Sequence, residues 1–523
     1  MRRLLAAVLF LSALTIHAQV TAKKAALSTA HPLATKAGLA VLQKGGTAAD
    51  AAVAVAFTLA VVHPQAGNLG GGGFAVYYDA PTRGIWALDF RETAPRAATR
   101  AMYAKNAALA RSGALAAGVP GTVAGLDALH EKFGTRDWKE LLAPAIALAR
   151  EGSRDDAEIA ADLEEVRRER NLDLPKSHPL PELAATLQRL ADEGAKDFYD
   201  GDIAKKIVEG IRAGGGNLGH RDLREYAPLW RAPFKLNYGP YEIYTLPPPS
   251  AGGLVIGEVL NILANDDLAA TGFQTVKTLH LLIEAQRRAN IDRMRYVGDP
   301  HGERIPYREL LSQNRAELWR NSIDPARVIA TKSLTEPRAL TQEAREHTTH
   351  FTIADSHGNV VSLTTGLGDN FGSGFVVPSL GFFLNNAMGN FTSGPNALDP
   401  LERPASPMSP VIVVRDGKPF LALGTRGGDG IAPTILQVFL NVVVYGKSLT
   451  DAVAAPRYHH QGVPEEMFYE KTRADKGTLD AMNRMGHASK ARDAIGDVHA
   501  ILFENGRLIA VADPRRGGAA GGY

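Results

Sequence analysis

The chain has 523 residues, and its 45% hydrophobic and 22% charged content is typical of a folded globular protein. Lysine and arginine number 58 against 56 acidic residues, a balance that argues against nucleic acid or an anionic membrane as a partner. Cysteine is absent, which excludes disulfides, thiol nucleophiles and zinc–thiolate sites.

The N-terminus predicts a secretory signal peptide comprising residues 1–18. It has a basic start (MRR), an apolar stretch over residues 4–16 and a small residue, Ala18, for cleavage, with Ala22 as the alternative. The apolar stretch is too short to span a bilayer. We therefore expect a periplasmic or secreted protein without a membrane anchor.

The region before residue 347 combines helices with a few strands. Gly45-Gly46 interrupts the first helical stretch, and Thr47 then begins a second helix. In chain order, the patterns predict helices over 31–62, strands at 74–78 and 85–90, helical periodicity from 102 to about 214, a strand at 241–246 and a long amphipathic helix over 276–297.

Strands dominate after residue 347. The predicted elements are a hairpin with strands at 351–353 and 360–365, strands at 411–414 and 420–423, a helix over 431–444, and a last pair of strands at 501–503 and 508–512. Two layers of strands bordered by helices, with a helical block inserted before the hairpin, suggest a four-layer α/β/β/α sandwich.

Thr348 lies at the leading edge of the predicted hairpin, in the run HTTHFTIADSHGNVVSLTTG. A threonine in a strand is ordinary on structural grounds, because β-branched residues favour strands. Its chemistry changes if the peptide bond before it is cut. Thr348 would then carry a free α-amine beside its own hydroxyl, so that one residue supplies both base and nucleophile.

Motifs spread from His31 almost to Tyr523 resemble those of the γ-glutamyltranspeptidase (glutathione hydrolase) family, in the N-terminal-nucleophile hydrolase superfamily. Each motif is weak alone, but their number and order make the resemblance specific. The motifs are HPLATKAGLAVLQKGG, AADAAVAVAFTLAVVHPQAGNLGGGGF, LDFRETAP, GVPGTVAG, LPPPSAGG, TTHFTIAD, NNAMGNF, SPMSPVIVV and ADPRRGG.

The resemblance implies a proenzyme that cleaves itself between His347 and Thr348. The products would be a large subunit (19–347) and a small catalytic subunit (348–523), which remain together as a heterodimer. An α-amine has a reference pKa of about 7.7–8.0, so a useful fraction is neutral near physiological pH and can accept the hydroxyl proton. We expect neither a metal nor a cofactor.

The resemblance also assigns groups around the nucleophile. Gly427 and Gly428 match the family's oxyanion pair, where backbone N–H groups approach the substrate closely; the alternative is a plain strand-to-helix turn. Arg91 falls where the family holds the substrate α-carboxylate, a task suited to the guanidinium fork. Ser406 matches one of two serines on that carboxylate, whereas the second position is Pro407.

The amine side of the implied pocket departs from the family. Gly368 stands where the family usually has asparagine, Ala387 where it has Gln or Glu, and Asn390 where it has aspartate. Hydrogen bonds to charged groups contribute roughly 1.5–3 kcal/mol each, so the loss weakens recognition of an ammonium group. Asn390 is retained as a candidate substrate-binding residue, and Asp369, which directly follows Gly368, could replace the missing charge.

Two further departures concern the nucleophile and the cleft. A family threonine that contacts the nucleophile aligns with Gly366, and Thr364, on the same strand face, is the candidate replacement. The segment 391–404 is short where some members have a lid loop, which predicts an open cleft.

Two other patterns indicate structural roles and not binding sites. The adjacent His459 and His460 point to opposite faces of a strand, which disfavours a metal pair, and NLGGGG lacks the Lys-Ser/Thr of a phosphate loop.

Three hypotheses follow. The first is a self-cleaving γ-glutamyltransferase or glutathione hydrolase that passes a γ-glutamyl group to water, an amino acid or a peptide. The second is a related acylase whose amide substrate, of the glutaryl type, lacks the α-amine. The third is a ligand-binding relative that does not process itself, which the retention of Thr348, Gly427, Gly428 and Arg91 disfavours.

Overall fold

A computed structural model describes residues 18–152, 157–170, 174, 180–300, 305–334 and 347–523. The strands, in chain order, are β1 (Gln19–Ala22), β2 (Ala26–Thr29), β3 (Gly72–Asp79), β4 (Gly84–Phe90), β5 (Leu229–Arg231), β6 (Phe234–Tyr238), β7 (Tyr241–Thr245), β8 (His347–Ala354), β9 (Val360–Gly368), β10 (Val411–Arg415), β11 (Lys418–Arg426), β12 (Tyr458–His459), β13 (Met467–Glu470), β14 (Ser489–Arg492), β15 (Asp497–Glu504), β16 (Arg507–Ala512) and β17 (Ala519–Gly522).

The helices, in chain order, are α1 (Pro32–Gln43), α2 (Ala48–Val62), α3 (Thr122–Phe133), α4 (Trp138–Glu151), α5 (Ala157–Arg170), α6 (Leu180–Glu193), α7 (Lys196–Asp200), α8 (Asp202–Ala213), α9 (His220–Arg224), α10 (Gly252–Ile262), α11 (Leu268–Thr271), α12 (Val276–Tyr296), α13 (Tyr307–Leu310), α14 (Gln313–Asn321), α15 (Thr331–Leu334), α16 (Ile431–Val443), α17 (Leu449–Ala454) and α18 (Lys476–Arg484).

Two seven-stranded antiparallel sheets pack face to face. The first has the strand order β17-β2-β8-β9-β3-β4-β5, and the second has the order β1-β16-β15-β11-β10-β7-β6. Helices α2 and α3 cover the outer face of the first sheet, and α10 and α16 cover that of the second. The predicted α/β/β/α sandwich is therefore confirmed, with α4–α9 as the inserted helical block.

The strand period of two separates the core into layers. On β3, Phe74 and Val76 point into the space between the sheets, where they join Ile412 and Ile501 of the second sheet. Their neighbour Tyr77 points to the other face and packs among the helices. Because both faces of the sheet are covered, the strands that carry the site are buried on both sides.

Helix α2 is an apolar helix of 15 residues that is buried within the fold. Thr47 and Asp50 form a capping box: the Thr47 hydroxyl accepts from the Asp50 N–H at 3.2 Å, and the Asp50 carboxylate accepts from the Thr47 N–H at 2.8 Å. The helix is buried nearly all round between sheet and helical block. Over the ranges given above, no helix is both long and apolar enough to cross a membrane.

The Gly/Ala-rich C-terminal tail, which the sequence patterns leave without structure, forms β17. It pairs antiparallel with β2, so that Ala520 lies opposite Ser28 at one edge of the first sheet. At the corresponding edge of the second sheet, β1 pairs with β16. Both short strands gain their backbone hydrogen bonds from partners nearly 500 residues away in the chain.

Glu258 lies on α10, in the helical layer that covers the second sheet. Its side chain is buried, and neither carboxylate oxygen has a hydrogen-bond partner among the described residues. Burial raises the pKa of Glu258 well above its usual value, and nearby Asp292 adds to the rise while Arg315 opposes it. Because the folded-state pKa of Glu258 is raised, protonation of this carboxylate stabilises the fold fully at a pH below the unfolded-state pKa near 4.5. This stabilisation is lost progressively as the pH rises from that value through the folded-state pKa.

We therefore expect Glu258→Gln to raise the free energy of unfolding at pH 8 by on the order of 1 kcal/mol, with a smaller gain at pH 5. Thermal unfolding of both proteins at the two pH values measures the difference. Glu140→Gln, which alters a half-exposed carboxylate paired with Lys44, is the control and should show no comparable gain at pH 8. An equal gain at both pH values would contradict the assignment.

Candidate active site

Thr348 lies where β8 begins, next to an irregularity in the ladder. Thr348 pairs with Gly366 of β9, but the preceding His347 pairs with Gly368, so Leu367 is an extra residue on β9. A bulge of this kind redirects side chains and is common beside active sites. The irregularity coincides with the peptide bond at which cleavage is predicted.

The side chain of Thr348 is fully buried, and that of Thr349 nearly so. Neither hydroxyl has a hydrogen-bond partner among the described residues. A Cβ atom on Gly366 would lie 3.1 Å from Cγ2 of Thr348 and 3.0 Å from the His347 carbonyl oxygen. The glycine thus lets β9 approach Thr348 and the His347 carbonyl closely, at a position where the resemblance implies a threonine.

Thr364 does not contact Thr348 through its hydroxyl. It faces His350 across the ladder, and its Oγ1 lies 2.9 Å from His350 Nδ1. His350 Nε2 lies 3.0 Å from the Thr352 hydroxyl, which donates to the His499 carbonyl at 3.0 Å. This chain assigns the imidazole proton to Nε2, and burial, followed by nearby His499, holds the pKa of His350 well below its usual value.

Gly427 and Gly428 connect β11 to α16 through a short 3₁₀ turn. Their φ angles are +125° and +57°, a backbone conformation that disfavours residues with a Cβ atom. Both glycines line a cavity of about 220 Å³ that His347 also lines. The structure therefore brings the predicted oxyanion pair and the residue preceding Thr348 to one cavity.

Arg426 is a site residue that the sequence patterns do not indicate. The residue is only 4% exposed, and its Nη2 lies 3.4 Å from His347 Nδ1 and 3.4 Å from Asn370 Oδ1. Nη1 lies 3.4 Å from a Glu158 carboxylate oxygen. Its only sequence signal is its place directly before the glycine pair, which is insufficient to distinguish it from a surface arginine.

Arg91 and Ser406 come from distant parts of the chain to one place. Arg91, fully buried directly after β4, lies 3.2 Å from the Glu92 carboxylate, and its Nε donates to the Pro404 carbonyl at 3.4 Å. Ser406, two residues later, is also buried, and its hydroxyl accepts from the Met408 N–H at 3.2 Å. The two predicted carboxylate-binding residues therefore lie on contacting segments.

The positions that depart from the family are closely packed. Gly368 has a φ of +93°, and a Cβ atom there would lie 2.0 Å from Asn386 Oδ1, so an asparagine cannot be introduced without moving Asn386. Ala387 and Asn390 are buried in the 3₁₀ turn that follows. The backbone carbonyl of Asn390 accepts from the Asn396 side chain at 2.8 Å.

Asp369, the candidate replacement for the missing charge, already has partners. Both of its carboxylate oxygens accept from Arg111, at 2.6 and 2.7 Å, and Asn386 donates to it at 2.8 Å. Arg170 lies 4.0 Å away. To bind a substrate ammonium, Asp369 would have to give up part of this pairing.

The adjacent histidines His459 and His460 and the NLGGGG run, which the sequence patterns assign to structural roles, form hydrogen bonds within the protein. His459 Nε2 lies 2.9 Å from Gln461 Oε1, and His460 accepts from the Gly462 N–H at 3.0 Å. In the NLGGGG turn, Asn68 accepts from the Gly71 N–H at 2.9 Å, and a Cβ on Gly71 would lie 2.0 Å from the Gly366 carbonyl. The turn therefore lets β3 approach β9.

Comparison with known proteins identifies the family of the chain. The γ-glutamyltranspeptidase family model matches residues 34–523. The chain is 35% identical to the glutathione hydrolase proenzyme of Escherichia coli (strain K12), over 95% of this chain and 91% of the relative. It is 36% identical to the corresponding proenzyme of Pseudomonas sp. (strain A14), over 100% and 99%.

Solved structures extend the similarity. A cephalosporin acylase from Bacillus halodurans is 27% identical and superimposes with a TM-score of 0.85, covering 100% of this chain and 99% of that one. A γ-glutamyltranspeptidase chain from Helicobacter pylori is 38% identical, with a TM-score of 0.55 over 59% of this chain and 94% of that one. The chain therefore belongs to the γ-glutamyltranspeptidase family and is an enzyme of the N-terminal-nucleophile hydrolase type.

Proposed function

We propose that the protein is a self-cleaving γ-glutamyltransferase or glutathione hydrolase whose nucleophile is Thr348. The observation that carries the proposal is the position of Thr348: it is buried at the start of β8, beside a ladder irregularity, and the residue before it lines one cavity with Gly427 and Gly428. Cleavage there would divide the chain into subunits 19–347 and 348–523, which share both sheets and would remain associated.

The maturation step is an intramolecular acyl shift. Thr348 Oγ1 attacks the carbonyl carbon of His347, the bond to the Thr348 nitrogen breaks, and the acyl group passes to the hydroxyl as an ester. Water then hydrolyses this ester, which leaves a carboxylate on His347 and a free amine on Thr348. The bulge favours the shift because it interrupts regular pairing at the bond that must distort.

Turnover repeats the attack on an external amide. The neutral α-amine of Thr348 accepts the hydroxyl proton, and the oxygen adds to the donor carbonyl. Backbone N–H groups of Gly427 and Gly428 would stabilise the resulting oxyanion. Collapse expels the amine half of the donor, and water or the amine of an amino acid or peptide then releases the acyl group from Thr348.

The donor carboxylate is assigned to Arg91 and Ser406. Arg91 is fixed by burial and by its contact with the Pro404 carbonyl, so its guanidinium is already oriented without a substrate. The Ser406 hydroxyl adds a donor, whereas Pro407 supplies none. Of the donors with this chemistry, glutathione and other γ-glutamyl amides are the primary candidates.

A second candidate is an acylase for glutaryl-type amides, which have the same carboxylate spacing but no α-amine. Two observations favour it: Gly368 and Ala387 supply no polar side chain, and Asp369 is held by Arg111. The structural similarity to a cephalosporin acylase is consistent with such a substrate. Thr364, which bonds to His350, would act in either case by fixing β9 beside the nucleophile.

Comparing γ-glutamyl and glutaryl 4-nitroanilides with the purified enzyme distinguishes the two candidates. The primary proposal predicts a higher kcat/KM for the γ-glutamyl compound, and a preference for glutaryl would replace it with the second candidate. Asn390→Asp, which adds a carboxylate near the amine site, is expected to shift the ratio of the two kcat/KM values toward γ-glutamyl by about tenfold. An unchanged ratio would remove Asn390 from the substrate site.

We further propose that the chain is exported and that its signal is cleaved after Ala18. Strand β1 begins at Gln19, so cleavage at Ala18 would preserve its pairing with β16, whereas cleavage at Ala22 would remove the strand. N-terminal sequencing of the large subunit from the periplasm or medium tests this. A large subunit that begins at residue 23 would contradict the assignment.

A further inference from the structure

The glycine turn proposed to hold the oxyanion carries an acidic residue that the chemistry above does not use. Asp429 directly follows Gly428 and belongs to the same 3₁₀ turn. The turn is closed by the Gly430 N–H, which donates to the Gly427 carbonyl at 3.1 Å, and α16 begins at the next residue. A carboxylate therefore lies directly beside the backbone groups that are proposed to stabilise a second negative charge.

The Asp429 carboxylate is largely withdrawn from water. Its side chain is 9% exposed, and its Oδ1 forms no hydrogen bond with another described residue. Charges that are shielded from water interact more strongly than exposed ones, because the medium around them screens less. Without compensation, Asp429 would raise the energy of an oxyanion that forms at Gly427 and Gly428.

Arg293, on α12, supplies a compensating charge. Its Nη1 lies 3.3 Å from Asp429 Oδ1, and its side chain is 4% exposed. Because both partners are buried, their attraction is screened little by solvent. Arginine also remains protonated over the whole range in which an α-amine can act as base, so the compensation is present throughout that range.

Helix α12 holds Arg293 in place through other contacts on the same face. Gln286 and Asn290 precede Arg293 by seven and three residues, a spacing that places all three on one face of the helix. Gln286 Oε1 accepts from the His460 N–H at 3.2 Å, and the Asn290 side chain donates to the His460 carbonyl at 3.3 Å. These two bonds fix this face of α12 against the segment that follows β12, and Arg293 extends the same contact to Asp429.

The ion pair connects parts of the chain that the proposed cleavage would separate. Arg293 belongs to residues 19–347, and Asp429 belongs to residues 348–523. The large subunit would therefore supply the charge that balances an anion in the small catalytic subunit. The glycine turn would depend on the association of the two subunits for its electrostatics.

We propose that Arg293 is a positioning residue for the oxyanion site, which acts through Asp429 by compensating its charge beside Gly428. The inference rests on the proposed function, since it takes Gly427 and Gly428 as the oxyanion pair. It does not depend on the acyl group of the donor, because γ-glutamyl and glutaryl amides have the same scissile carbonyl.

Steady-state kinetics of the mature enzymes tests the proposal, with whichever 4-nitroanilide, γ-glutamyl or glutaryl, the wild type cleaves better. We expect Arg293→Gln to lower kcat by about tenfold with little change in KM, because the exposed carboxylate charge opposes the transition state and not the neutral ground state. The double variant Arg293→Gln/Asp429→Asn should recover most of this loss. An unchanged kcat in Arg293→Gln, or an equal loss in the double variant, overturns the proposal.

Asp429→Asn alone decides the matter if Arg293→Gln yields no mature enzyme. This substitution removes the anion and leaves the Arg293 cation beside the turn. We expect it to raise kcat by about threefold, since the remaining charge favours the oxyanion. A kcat no higher than that of the wild type would then overturn the proposal.

Arg315→Gln is the control for the loss of a buried ion pair in the same helical layer. The Arg315 Nε donates to Asp292 of α12 at 2.8 Å, and Arg315 is not among the described residues that line the cavity. It should lower the unfolding temperature but retain kcat; a kcat lowered as much as in Arg293→Gln overturns the proposal. A wild-type kcat in Gly427→Ala would refute the oxyanion assignment itself, whereas a loss there without an effect of Arg293→Gln refutes this inference alone.

Discussion

Thr348→Ala is expected to yield a single uncleaved chain without amidase activity. Alanine removes the oxygen that would attack the His347 carbonyl, together with the γ-methyl group, from a fully buried position. Because the bond then stays intact, residue 348 also gains no free amine to act as base. Denaturing electrophoresis and 4-nitroaniline release measure the two effects, and activity should fall to the background of the assay.

Thr349→Ala is the matched control for this substitution. Its hydroxyl is equally buried and equally without a described partner, but it points to the opposite face of β8 and pairs across to Thr365. Thr349→Ala should produce two bands, and the smaller should begin at Thr348 by N-terminal sequencing. Thr348→Ser should restore cleavage because it keeps the hydroxyl. An active Thr348→Ala enzyme, or an active uncleaved wild type, would refute the mechanism.

Gly427→Ala is expected to give a folded protein whose kcat is lower by about 10²–10³-fold, the usual cost of losing one oxyanion donor. The φ angle of +125° at Gly427 strains any residue with a Cβ atom, and that atom would lie 3.3 Å from the backbone of Gly496. Relief of this strain would rotate the peptide that connects Gly427 to Gly428 and redirect the Gly428 N–H away from the substrate.

The control for backbone strain is Gly417→Ala in the β10–β11 turn. Gly417 also has a positive φ, +71°, but a Cβ atom there would meet only the Arg83 side chain at 3.8 Å. It should lose some stability, by about 1 kcal/mol, and retain full kcat. Steady-state kinetics on the mature enzymes separates the two, and equal kcat values for Gly427→Ala and wild type would exclude Gly427 and Gly428 as the oxyanion pair.

The features that the sequence predicts correctly are those with local causes. Helix α2 begins where Thr47 and Asp50, three residues apart, satisfy each other's backbone donors. The β8–β9 hairpin closes where Asp355 accepts from the Asn359 N–H at 3.0 Å. Interactions between residues that are close in the chain produce recognisable sequence patterns. The nine family motifs, in their order along the chain, additionally predict the overall fold.

Features with distant causes are not visible in the sequence patterns. Strand β17 lies in a Gly/Ala tail with no periodicity, and it is a strand only because β2 presents an open edge to it. Thr364 lies on the same face of β9 as Gly366, as its spacing of two residues predicts. Its hydroxyl nevertheless bonds to His350, because the strand register places those two side chains opposite each other. The bulge at Leu367 likewise exists only in the paired ladder.

The electrostatics of the site show most clearly what the sequence determines and what only the tertiary structure determines. By itself, the sequence determines which candidate groups are available: a threonine that predicted cleavage would make an N-terminus, a glycine pair, and Arg91 and Ser406 as proposed carboxylate-binding residues. Only the tertiary structure decides that Asp369 is held by Arg111 and that Arg426 meets His347. The physical reason is that pairing and desolvation depend on distances of a few ångströms between residues separated by tens to hundreds of positions in the chain.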